Sequence, residues 1–143
     1  MVDTQTSIIT YLWNLLTPDT DLKAAMGGTV RLFLTWAIPD AAFPYLVHRI
    51  DISALEPFPM RAGSYYLDIW SDSPNANEIL AIRALIIALL DELTFTTTEA
   101  NSVRVSLQTD AFIPESEQGI YHYAMMFNLR FYRVAETASI IGR

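Results

Sequence analysis

The chain has no cysteine, a single lysine, Lys23, and two histidines, His48 and His122. Without cysteine there are no disulfides and no thiolate metal sites. Lysine and arginine total nine against sixteen acidic residues, a net charge of -7, and the nine are scattered. A protein that grips nucleic acid through its phosphates needs clustered cations, so this composition argues against that role. An acidic surface would instead let DNA slide past. The longest apolar run, Ala84 to Leu90, is far shorter than the roughly 20 residues that span a bilayer. The N-terminus carries Asp3 and no basic stretch. The expectation is therefore a soluble chain made in a cytoplasm, with no membrane partner.

What the chain does have is apolar residues. They make up 52% of 143 residues, with a mean hydropathy of +0.25. That length supports one domain over 1–143 with a real core. The apolar excess points to surface buried between subunits.

The dominant pattern is Gly119 to Val134, GIYHYAMMFNLRFYRV. Odd positions Tyr121, Tyr123, Met125, Phe127, Leu129 and Phe131 are apolar or aromatic, and even positions are mixed. Alternation places the two sets on opposite faces of a strand. At about 3.3 Å per residue the strand would run roughly 50 Å, so it must bend at a bulge or meet another subunit. The odd face belongs to the core. The even face, with Met126, Asn128, Arg130 and Tyr132, has the character of a subunit interface.

Before this strand come further elements. Thr4 to Leu16 has helical spacing, with Asp3 or Thr4 as cap and Thr17-Pro18 as stop. Asp19 to Met26 reads as a short helix ended by Gly27-Gly28. Val30 to Trp36 is a short strand or extended loop, and Tyr45 to Ile52 and Ala62 to Trp70 alternate as strands. Between those two, Glu56 to Met60 carries two prolines and must be a loop. Ser73 suits a helix cap and Pro74 the first helical position, with the helix running to about Leu93. Thr94 to Ser102 reads as a polar loop, Val103 to Asp110 as a strand, and Ala111 to Gln118 as a turn. A tail, 135–143, reads as flexible. The order predicts an α+β fold, a two-layer sandwich with a mostly antiparallel sheet and helices packed on one face.

Candidate chemistry is sparse. His48, His122 and Asp68 all sit in strands, and together they could move protons or bind a small ligand. No H-x-H or H-E-x-x-H spacing supports a metal, and the plainer reading makes both histidines ordinary sheet positions. Asp68 is either a carboxyl with a raised pKa or the partner of an arginine such as Arg49 or Arg130, which is favoured. Glu115 and Glu117 lack EF-hand spacing and read as a solvated loop. The aromatic stripe Tyr121, Tyr123, Phe127 and Phe131 reads as core rather than a base-stacking platform. With no G-x-S-x-G elbow and no phosphate loop, the expectation is no enzyme, no cofactor and no metal.

Four pieces carry a resemblance: Phe43-Pro44-Tyr45-Leu46-Val47-His48-Arg49; Tyr65-Tyr66-Leu67-Asp68-Ile69-Trp70-Ser71; the helix Asn75 to Glu92; and the hairpin ending in Gly119-Ile120-Tyr121-His122-Tyr123 and Leu129-Arg130-Phe131-Tyr132. Their order and spacing, from the first helix to Tyr132, resemble the tail terminator, or tail completion, proteins of long-tailed bacteriophages. The resemblance implies a structural protein at the head-proximal end of a virion tail. It implies a homo-oligomeric ring, usually hexameric, that caps the tail tube and ends its growth. Its partners would be the tail-tube protein and a head completion or connector protein, with DNA crossing the lumen unbound. Axial contacts would then come from loops carrying Phe58, Met60, Arg61, Glu99, Glu115 and Glu117.

Overall fold

A computed structural model describes residues 3–53, 60–115 and 119–133. Phe58, Glu117 and the tail 135–143 lie outside the described residues. The first helix, α1 (Thr4–Leu16), starts where the Asp3 carboxylate accepts from the Thr6 amide at 2.6 Å. It ends at Thr17, before Pro18. Ile8, Leu12 and Leu16 are buried, whereas Trp13 stands 46% exposed. The second, α2 (Thr20–Ala25), is capped by Asp19 and stops at Gly27 and Gly28, whose φ of +85° and +111° suit glycine.

Six strands follow, with one further helix among them: β1 (Leu32–Leu34), β2 (Tyr45–Ser53), β3 (Met60–Ser71), α3 (Asn77–Leu90), β4 (Thr94–Phe95), β5 (Ala100–Ile113) and β6 (Tyr121–Arg133). They form one sheet in the order β1-β2-β3-β6-β5-β4, in which β1–β2 is the parallel pair and the rest are antiparallel. This is the predicted α+β architecture. Buried residues of α1, α2 and α3 join one core with alternate residues of the strands, among them Leu46, Tyr65, Leu67, Val105, Phe127 and Leu129. Tyr123, Met125, Phe127, Leu129 and Phe131 are all buried, as the odd-position reading of the last strand requires.

Several boundaries differ from the expectation. Ser73 does not cap α3; the helix opens at Ala76, and the Asn75 side chain accepts from the Asn77 amide at 2.9 Å. The Ser71 hydroxyl, one turn earlier, donates to Glu78 instead. The stretch 94–102 is not one loop, because β4 pairs with Val103 and Arg104 of β5. Met60 and Arg61 are not loop residues either; they open β3, opposite Tyr132 and Phe131 of β6. Nor does β6 bulge. The register shifts lie in β5, at Asn101/Arg104 and Leu107/Thr109, so the partner strand absorbs the twist.

Candidate functional site

The sheet has one face under the helices, and among the described residues no helix or strand covers the other, here called the open face. Pairing registers put Tyr45, Val47 and Arg49 of β2 on the open side. Tyr66, Asp68 and Trp70 of β3 join them, with His122, Ala124, Met126 and Asn128 of β6. Every one of these except Arg49 and His122 is half-buried by its neighbours, and His122 is buried. At one end the rings stack: Tyr45 on Trp70 with centres 6.1 Å apart, and Trp70 on His122 at 3.8 Å and 14°. Farther along, the Arg49 guanidinium lies 3.8 Å over the Tyr66 ring and pairs with Asp51 at 3.0 Å. The Asn128 side chain donates to Gln108.

His122 is the hub. Its Nε2 lies 2.9 Å from Asp68 and its Nδ1 3.3 Å from Glu115. Glu115 is therefore not simply a solvated loop carboxylate. Asp68 is not an arginine partner of the expected kind: Arg49 bonds Asp51, and Asp68 takes His122. Sequence alone misses this because the β3–β6 register, which sets Asp68 opposite Ala124 and Trp70 opposite His122, is not encoded locally.

His48 points the other way. It lies under the helices, with Nδ1 2.7 Å from the Tyr65 hydroxyl, both buried. Burial pushes its pKa down to about 4 and raises that of Tyr65 well above its usual value. The sheet separates His48 from His122 and Asp68, so the acid–base trio does not assemble. Among the described residues no group of three His, Cys, Asp or Glu stands ready to hold a metal. A cleft of about 530 Å³ between α1 and the β4–β5 turn is lined by Thr6, Ser7, Thr10, Asn14 and the 96–98 hydroxyls, with Glu99 at its rim. It offers hydrogen bonds but no base paired with a nucleophile.

The four even-face residues do share a surface. Met126 and Asn128 are half-buried, and Arg130 and Tyr132 are exposed. No helix among the described residues is long and apolar enough to cross a membrane.

No family model matches the chain, and no curated protein matches it. Among solved structures it is similar to a chain from the virion of a native gene transfer agent particle. The TM-score is 0.68 at 12% identity, over 91% of this chain and 95% of that one. At that identity the likeness is one of fold, and it extends over almost the whole of both chains.

Proposed function

We propose that this chain is a structural protein of a phage-like virion and not an enzyme. One observation carries the reading: its fold runs nearly end to end along a virion chain of about the same length. Within that role we assign it to the tail's head-proximal end, as a homo-oligomeric, hexameric ring that caps the tail tube. This is the station of the tail terminator proteins that its motifs resemble. The ring meets the tube protein on one side and a head connector on the other.

Three features support the finer assignment. The open sheet face is uncovered by any helix of the described residues, and it is rich in aromatic and apolar side chains that a neighbour can bury. Met126, Asn128, Arg130 and Tyr132 form the subunit contact there. Glu99, Glu115 and the start of β3 at Met60 and Arg61 sit at strand ends, where axial neighbours attach. The net charge of -7 suits a lumen that DNA must cross without sticking.

Gold-labelled antibodies against the chain test the station. Label at the junction of head and tail, on one end of each particle, is the expected result. Label along the tube, or particles without label, overturns the terminator assignment.

A further inference from the structure

A closed ring needs two unlike surfaces on each subunit that meet head to tail. Resting on the ring reading above, we infer that the two edges of the sheet are those surfaces, with Phe112 of one copy seated beside Trp13 and Leu34 of the next.

The sheet's own register makes the edges complementary. One row of paired residues runs Leu32, Leu46, Ile69, Tyr123, Phe112 across the sheet, and the next-but-one runs Leu34, His48, Leu67, Met125, Asp110. The outer strand β1 and the outer side of β5 therefore stand at the same height on opposite edges. Strand directions agree as well. With β1 parallel to β2 and three antiparallel steps from β2 to β5, β1 runs opposite to β5. Copies laid side by side with the same face outward bring β5 of one against β1 of the next as an antiparallel pair.

Both edges are open at that height. Among the described residues, β4 covers β5 only at Val103 and Arg104, and no strand lies outside β1. Both also expose apolar side chains. Phe112 and Ile113 are 43% and 39% exposed on one edge, and Leu34, Trp36 and Ile38 are 58%, 81% and 60% exposed on the other. Phe112 lies on the helix side of the sheet, edge-on to Tyr123 at 4.8 Å. On the same side at the β1 edge, a groove of about 260 Å³ is lined by Ile9, Thr10, Trp13, Leu34 and His48. An aromatic knob on one edge thus stands within two residues, about 7 Å along the strand, of the row that carries the uncharged groove on the other.

Charge does not oppose the contact. From Gly27 to Ile38 the one charged residue is Arg31, whose guanidinium bonds the carbonyls of Met26, Ala42, Phe43 and Pro44. From Val105 to Glu115 the charged residues are Asp110, which pairs with Arg83, and Glu115, which pairs with His122. The occupant of each edge is a second copy of this chain. This contact does not use Arg130 and Tyr132, which lie at the far end of the strands from Ile113.

The test uses two full-length variants, Phe112→Asp and Leu34→Asp, each damaging one edge, followed by sedimentation velocity. The wild type should assemble. Each variant alone should stay monomeric, its self-association weakened at least about tenfold by a charge placed in an apolar contact. An equimolar mixture should form one-to-one heterodimers that grow no further, since each pair retains one intact junction. Both sites are half-exposed, so circular dichroism should show native folds; if Leu34→Asp misfolds, Trp36→Asp replaces it. A mixture that stays monomeric, or a variant that assembles like the wild type, overturns the edge contact and leaves the ring reading standing. A wild type that never assembles overturns both.

Discussion

The imidazole of His122 lies flat on the indole of Trp70, ring centres 3.8 Å apart, while its two nitrogens face two carboxylates. Only the imidazolium has a proton for each of Asp68 and Glu115. Strands β3 and β6 and the residues just past β5 thus meet on one imidazole.

The first prediction concerns the titration of His122. Burial, the largest single influence, pulls its pKa down, but the hydrogen bonds and charges of Asp68 and Glu115 together raise it above the ordinary 6.5. A raised histidine stabilises the fold fully below the unfolded value, about 6.5, and this is lost as pH rises through the folded value. NMR titration of the ring protons should give a midpoint above 6.5, and Asp68→Asn should lower it. A wild-type midpoint at or below 6.5 would contradict the two-carboxylate geometry.

His48 should behave in the opposite sense. Its pKa is depressed to about 4 by burial beside Tyr65. The unfolded chain then binds more protons than the native one between pH 6.5 and 4, so stability falls as pH drops through that window. The shift corresponds to roughly 3 kcal/mol at full extent. Urea unfolding across this range should show the loss, and a His48→Gln variant, less stable at pH 7, should lose less of its stability on acidification.

The two faces of β6 should separate assembly from folding. Phe127 is fully buried, and Phe127→Asp strands a charge in the core at a cost of roughly 4 kcal/mol or more. Met126, its neighbour on the open face, is half-buried, and Met126→Asp should cost the monomer about 1 kcal/mol while weakening assembly. Thermal melts and sedimentation of both variants check this. Equal losses of monomer stability would mean that the faces are wrongly divided.

Gly63 sits in β3 between Ile52 and Leu129. A Cβ there would stand inside contact distance of the Asp51 carbonyl oxygen and 3.0 Å from the Ile52 Cδ1. Backbone cannot step aside as a flexible side chain can, so Gly63→Ala should destabilise by about 1–3 kcal/mol. A melt unchanged from the wild type would refute the close approach.

Local patterns anticipate much of this fold. Asp3, Asp19, Pro18 and the Gly27-Gly28 stop mark α1 and α2 because caps and breakers act within one turn. The alternation of β6 divides its faces because strand geometry needs only period two. Partner-dependent features stay hidden. The α3 start falls at Ala76, without a side-chain cap, while Ser71 bonds Glu78 and Asn75 bonds the Asn77 amide. The twist of the long hairpin falls on β5, although only β6 shows an unusual length in sequence. The site is less legible still. His48, Asp68 and His122 all alternate plausibly in strands, and only the registers reveal that the first lies across the sheet from the other two. That Leu34 and Phe112 stand only two residues apart in height on opposite edges depends on every register between them.

Electron microscopy of the purified chain would show directly whether it closes into a ring. Closed rings of one size around an open lumen, with neighbours joined in one rotational sense, are the expected result. Particles that remain single subunits at every concentration, alone and in the presence of tail tubes, would contradict it.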